Sequence, residues 1–244
     1  VVAAAHLTRS ELNSQKSELL RAGRYWQPDL LLVHWRGRQY VVKDYRARPP
    51  LYRWSVGMLA TFRESKNYRR LAGLPGIPAF GGRIDRYALA VELIPGRNAD
   101  RFKKGELSAA FFSELRTIIQ GVHDRGVALG DLRNSKNIMV TEQGRPMLID
   151  FSTGFGRGGW WNPLQRWLYG IFERDDCLGI AKLKRRYAPE LMTDEERTGL
   201  EEGLPFERPA HALRDAFKHI VKRLAGSGRK GEKRMKDEEQ QSRH

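Results

Sequence analysis

Two short stretches, "ALGDLRNSKNIMV" (Ala128 to Val140) and "MLIDFSTGF" (Met147 to Phe155), constrain the fold of this chain more than any other feature. "NIMV" and "MLID" read as short apolar strands. The polar "TEQGRP" between them contains Gly144, so the pair predicts a β-hairpin. Such a hairpin brings Asn137 and Asp150 together at one end, with Asp131 just upstream. Two carboxylates and an amide suit a hard cation such as magnesium, with one carboxylate left to orient a nucleophile. That is the residue set phosphoryl transfer asks for.

The rest of the chain must house this hairpin. At 244 residues and 40% hydrophobic, it is long enough for one two-lobed domain or two small ones, and it is not a disordered chain. A single cysteine, Cys177, excludes an intramolecular disulfide and fits a reducing compartment, so the expected location is cytoplasmic. No apolar run is long enough to span a bilayer, and the N-terminal residues lack the basic leader and apolar centre of a secretion signal. A net charge of +15 implies attraction to anions: nucleotide, acidic lipid, phosphorylated glycolipid or nucleic acid.

Upstream, the stretch to Arg24 predicts one or two short helices. "DLLLVHW" and "QYVVKDY" (Asp29 to Tyr45) then predict a hairpin turning at Gly37, with Lys43 near the end of its second strand. Val56 to Gly73 reads as a helix whose apolar stripe, Met58, Leu59, Phe62 and Leu71, marks the side to be buried, and Glu64 is its only acidic residue. "LPGIPAFGG" is a turn, and Arg86 to Ile94 a strand. Glu106 to Arg125 has core spacing at Leu107, Phe111, Leu115, Ile118, Ile119 and Val122, and Gly126 stops it. His123, at the end of that helix, reads as structural.

These motifs resemble the protein-kinase-like superfamily. "GDLRNSKN" resembles its catalytic loop, "DFS" at Asp150 to Ser152 its metal-binding element, and "VVK" its phosphate-binding lysine strand. The resemblance spans about Leu30 to Gly179. It implies an α+β, two-lobed fold: a small β-sheet lobe to about Ile94, a mainly helical large lobe to about Leu224, and a basic disordered tail from Ala225. It also implies an ATP- and magnesium-dependent phosphotransferase. In that reading Asp131 acts as catalytic base and Arg133 offsets transition-state charge. Lys43, held by Glu64, binds phosphates, backbone groups at Glu92 to Ile94 bind adenine, and Asn137 and Asp150 bind magnesium.

The chain departs from the family pattern in three ways. The only counterpart of the Gly-rich phosphate loop, "RAGRYWQPD", holds one glycine. Leu129 stands where a His or Tyr is usual. Five residues rather than four separate Asp131 from Asn137, which makes Asn134 a competing ligand. Either Asp175 or Asp176 takes the part of the buried aspartate that braces the catalytic loop. "APE" at Ala188 to Glu190 is discounted because it follows this acidic pair.

The form "LGD" resembles lipopolysaccharide-core kinases and RIO-type atypical serine/threonine kinases. Protein Ser/Thr and a membrane glycolipid sugar therefore stand as competing acceptors, a nucleotide-binding scaffold without turnover is the alternative, and RNA is a further anionic partner. Trp160, Trp161, Trp167, Tyr169 and Phe172 are interleaved with basic residues, as is "DYRARPPLYRW" (Asp44 to Trp54). They read either as aromatics packed on the large lobe or as a face for peripheral contact with an anionic membrane.

Overall fold

The structure is a computed structural model that describes residues 7–24, 27–132 and 134–202. The expected tail from Ala225 and the end of the large lobe lie outside these residues, as does Arg133.

Five antiparallel strands form the small lobe in the order β1-β2-β3-β5-β4: β1 Ser17–Arg21, β2 Asp29–Trp35, β3 Arg38–Asp44, β4 Phe80–Arg83 and β5 Ala88–Glu92. The β2–β3 hairpin turns through Arg36 and Gly37, both at positive φ (50° and 75°). A two-residue turn of this hand matches the twist of the strands it joins. Val33, Trp35, Tyr40 and Val42 alternate onto one face and pack with Leu7, Leu12, Ala88 and Ala90. The period of two puts Val41 and Lys43 on the opposite face, beside Val91 and Leu89 of β5.

Two strands differ from the sequence expectation. A helix is found at α1, Arg9–Ser14, closed by a Thr8–Glu11 capping box, but Ser17–Arg21 pairs with β2 as an edge strand. β4 lies in the stretch read only as a turn. Its Gly81 sits so close to the Tyr40 ring that a Cβ would come within 2.7 Å of it.

Across the second face of the sheet runs a helical stretch that starts earlier than predicted: α2 Pro50–Tyr52, a π-helical turn Arg53–Gly57, then α3 Met58–Arg70. Gly57 lies against Tyr45, where a Cβ would be 3.1 Å from the tyrosine Cβ, so the wide turn meets the sheet edge through its glycine. The expected stripe holds at Leu71, which is buried, and fails at its other three positions. Met58, Leu59 and Phe62 are exposed, and the buried face carries Thr61, Glu64, Ser65, Asn67 and Tyr68.

After β6, Gly96–Asn98, the large lobe begins. α4, Ala109–Asp124, is capped by Ser108 and buries Phe111, Phe112, Leu115, Ile118, Ile119 and Val122, the spacing its sequence carries. Gly126 ends it at φ 69°. β7, Val127–Ala128, leads into the loop that carries Asp131. β8, Ile138–Thr141, and β9, Pro146–Leu148, form the predicted hairpin, and β10, Phe155–Gly156, pairs back onto β7. α5, Pro163–Tyr187, and α6, Asp194–Glu202, complete the described chain. One apolar core joins α3, α4, α5 and the β8–β9 hairpin through Tyr68, Leu115, Ile119, Ile138, Leu148, Phe151 and Ile180. Among the described residues no helix is long and apolar enough to cross a membrane.

Candidate active site

The β8–β9 ladder sets the geometry. Ile138 pairs with Leu148, and Ile149 N donates to Asn137 O at 2.9 Å, so the ladder extends one step and delivers Asn137 and Asp150 side by side. Asp150 then turns through φ 66°, a left-handed conformation that Asp tolerates better than most residues. Its Oδ1 accepts from Ser152 Oγ (2.8 Å) and Ser152 N (3.3 Å), which holds the carboxylate in place within the turn.

Asp131 reaches the same cleft from the other side. The loop before it hangs from Asp176 of α5, which accepts Leu129 N at 2.6 Å, Gly130 N at 3.0 Å and His123 Nε2 at 3.0 Å. Two loop amides bound to one buried carboxylate, itself held by His123, fix this backbone, and they give the bracing role to Asp176. Burial pushes the Asp176 carboxyl up against the pull of His123 and the two amides. His123 is buried in this network, as its structural reading expected, and Tyr169 Oη donates to its carbonyl at 2.9 Å. Leu129 itself is buried in the core, so the side chain absent from the family position is replaced by apolar packing.

Asp131, Asn137 and Asp150 line one cleft with Leu129, Leu132, Leu148 and Thr153. Asn137 Nδ2 donates to Asp131 O at 3.3 Å, which commits the amide nitrogen and leaves the oxygen for a cation. Asn134 instead caps the short turn at Ser135–Asn137, accepting from Lys136 N at 3.3 Å, and does not line the cleft. Of the two asparagines, Asn137 is the one that lines the cleft.

Lys43 enters from the small lobe. Its Nζ donates to Glu64 Oε1 at 2.6 Å and lies 3.1 Å from Asp150 Oδ1, so it bridges α3 and the hairpin. Burial alone would lower the Lys43 ammonium, but Asp150 and Glu64 outweigh it and hold the lysine well above its usual range. Glu64 is fully buried. Burial raises its carboxyl to about 7 even with Lys43 pulling it down. At Asp150 the lysine and the serine win over burial, and the carboxyl is lowered. Charge at the site is therefore organised around Lys43.

Two further residues of α3, Arg63 and Asn67, reach the site without any local sequence pattern to mark them. Asn67 Nδ2 donates to Phe151 O (2.9 Å) and Gly154 O (3.1 Å), and Arg63 Nη2 donates to Gly154 O (3.3 Å). Tyr68 stacks edge-on to Phe151, with ring centroids 4.9 Å apart, and lies parallel to Phe80 at 5.6 Å. A mid-helix Asn has no local pattern. Its only trace is that polar residues sit where the inward face should be apolar.

At the junction of the lobes, part of the Glu92 to Ile94 backbone is engaged by the sheet. Glu92 N donates to Ala79 O and Leu93 N to Gln39 O, both at 2.9 Å, while the Glu92 carboxylate accepts from Ala79 N. Sheet pairing has spent the amides of Glu92 and Leu93, so Ile94 is what remains of that segment's donors for an adenine edge. Gly23, the one glycine of the stretch that stands in place of the Gly-rich loop, donates its amide to Asp29 Oδ1 at 2.7 Å and is likewise engaged.

The donor set fits magnesium: a carboxylate and an amide oxygen beside a cleft, with phosphate oxygens and water to complete the shell. Among the described residues no three His, Cys, Asp or Glu side chains gather as a metal cluster, and a magnesium carried in with nucleotide phosphates requires none.

No family model and no curated protein sequence matches the chain. Solved structures do. The Rio2 kinase ADP/Mg2+-phosphoaspartate complex from Chaetomium thermophilum superposes with a TM-score of 0.54 at 18% identity, covering 72% of this chain and 58% of that one. The Rio2 kinase from the same organism gives a TM-score of 0.56 at 17% identity, over 87% and 75%. The chain thus spans little more than half of the first neighbour. At such identity the likeness is one of fold, and together with the lobes and the cleft between them it establishes that this chain has the two-lobed protein-kinase-like fold.

Proposed function

We propose that the chain is an ATP-dependent phosphotransferase that moves the γ-phosphoryl of Mg-ATP to a hydroxyl, either of a protein Ser/Thr or of a sugar on a membrane glycolipid. The observation that carries this reading is the convergence of Asp131, Asn137 and Asp150 on one cleft, with Lys43 joined to both Asp150 and Glu64. An unrelated cluster has little reason to combine these groups with a backbone braced by Asp176.

In this mechanism Lys43, held by Glu64, contacts the α- and β-phosphates, and Ile94 offers its backbone to the adenine edge. The Asp131 carboxylate orients the acceptor hydroxyl and takes its proton late. The acceptor oxygen bonds to the γ-phosphorus as the bridging oxygen departs with ADP. Asn137 and Asp150 would hold magnesium, which when bound neutralises phosphate charge. Arg133 offsets charge on the transferred group, a role that the resemblance to the kinase catalytic loop implies. The first structural neighbour was solved with ADP and Mg2+, which supports the donor side of the reading.

A nucleotide-binding scaffold without turnover is the second reading, favoured by the engaged Gly23 and by Leu129. Labelled ATP incubated with cell lysate fractionated into protein, lipid and RNA separates the two. The expected result is label in the protein or lipid fraction that the Asp131→Ala chain fails to transfer, by about a thousandfold or more, with an unchanged melting curve. Full transfer by Asp131→Ala would sink the assignment, and a Mg-ATP thermal shift with no label in any fraction would favour the scaffold.

A further inference from the structure

The outward face of the α2–α3 stretch presents apolar side chains at the surface. Leu51, Trp54, Met58, Leu59 and Phe62 are between 43% and 64% exposed on one helical run. Scattered exposed apolar side chains are ordinary, but five within twelve residues of one helical stretch are a surface. Its charge is of one sign. Between Asp44 and Glu64 the sequence has no acidic residue, and those two turn inward: Asp44 pairs with Arg9, and Glu64 with Lys43. Arg46, Lys66, Arg69 and Arg70 stand exposed around the stripe.

A second patch has the same chemistry. Trp160 is 83% exposed, and Trp161, Leu164 and Trp167 are also exposed, with Arg157 and Arg166 among them and no acid between Asp150 and Glu173. The aromatic segment therefore divides, for Tyr169 is buried while the three tryptophans are not. The loop leading to Trp160 starts from the flank of α3, where Arg63 and Asn67 hold Gly154.

We propose that the exposed α2–α3 stripe, assisted by the Trp160–Trp161 loop, docks the protein on an anionic bilayer. Indole, phenyl and aliphatic side chains enter the headgroup boundary while surrounding arginines and lysines meet anionic lipid, the combination that holds interfacial helices on membranes. A second copy is a poor occupant. It would set a stripe ringed by cations against its like in a chain of net charge +15. An acidic, apolar protein remains as the competing occupant for the experiment to expose.

The test uses the full chain without ATP, so its result does not depend on phosphotransfer. Sedimentation is measured with vesicles of phosphatidylcholine alone and of phosphatidylcholine mixed with phosphatidylglycerol. The chain is expected in the pellet only with the anionic vesicles. The triple variant Trp54→Ser, Met58→Ser, Phe62→Ser should partition about tenfold less, and Trp160→Ser with Trp161→Ser less than wild type. If the triple variant fails to fold, judged by circular dichroism, brominated lipid must quench the tryptophan fluorescence of the wild-type chain. The proposal is overturned by absent sedimentation, by a folded triple variant that pellets like wild type, or by absent quenching. Lipid-free self-association abolished by the triple variant would also overturn it, as would binding to an acidic protein in place of vesicles.

Discussion

α3 and α4 carry similar apolar spacing in the sequence and use it in opposite ways. α4 turns its stripe inward, and hydrophobic burial is what holds it. α3 turns Met58, Leu59 and Phe62 outward and buries Thr61, Glu64, Ser65 and Asn67. Its inner face is occupied by work at the cleft: Glu64 on Lys43, Asn67 on the backbone of Phe151 and Gly154, with Tyr68 and, just past its end, Leu71 lending apolar contact. A helix that must present polar groups to a site gives up the usual source of helix stability. It is then held by hydrogen bonds and an ion pair that stabilise only while all partners are in place.

The sharpest way to separate the two helices is to truncate each and compare stability with function. Leu115→Ala in α4 removes a fully buried side chain from the core, and a loss of about 2–5 kcal/mol in denaturant unfolding is expected, with Mg-ATP affinity unchanged in the folded fraction. A smaller loss, under about 1 kcal/mol, would mean that α4 is no more core than α3.

Glu64→Gln tests the opposite helix through its function. The variant keeps the shape and loses the charge that positions Lys43, so phosphotransfer should fall about 100-fold. The pH dependence has a definite sign. Glu64 titrates near 7, so on acidification through that pH it takes up a proton, releases Lys43, and Mg-ADP affinity of the wild type declines. The raised value also means that Glu64's contribution to stability is full below the ordinary carboxylate range and is lost as pH rises through about 7. Both dependences should vanish in Glu64→Gln, measured by calorimetric titration and by unfolding across pH. Persistence of either would assign the titration to another group.

Asn67→Ala should cost about 1 kcal/mol, since it removes the amide that ties Phe151 O to Gly154 O, while Gly154 N and Arg63 Nη2 still donate to those carbonyls. It should also raise the magnesium concentration needed for half-maximal nucleotide binding, because the segment it holds begins at Asp150. A stability loss with unaltered magnesium dependence would make Asn67 a packing residue only.

What the sequence revealed follows from the range of the interactions involved. The two hairpins were legible because turn chemistry and strand pairing are local there: Arg36–Gly37 and the Gly144 turn lie between their own strands. β1 was not, because Ser17–Arg21 becomes a strand only by pairing with β2, and its Leu19 and Leu20 stay exposed. The proximity of Asn137 and Asp150 was legible in their spacing, which the hairpin converts directly into closeness, whereas Lys43 was picked out only by its resemblance to the kinase lysine strand. Asp176 stood undecided beside Asp175, although it falls in register with Tyr169, Ile180, Leu183 and Tyr187, all buried on α5. That periodicity was the available signal. The inversion of α3 had none of comparable strength, since the reason for it lies in β3 and in the Phe151–Gly154 backbone, far away in sequence.

The smallest expected effect tests this account most directly. If the apolar stripe of α3 is surface, Phe62→Ser removes a half-exposed ring and leaves the inward hydrogen bonds untouched, so stability should change by no more than about 0.5 kcal/mol. A buried ring of the same size would cost about 3–5 kcal/mol on truncation, so thermal unfolding separates the two cases easily. Should Phe62→Ser destabilise the chain by several kcal/mol, the stripe would belong to a core after all. α3 would then be held as α4 is, and the burial of Glu64 and Asn67 would need another source of stability than the site they serve.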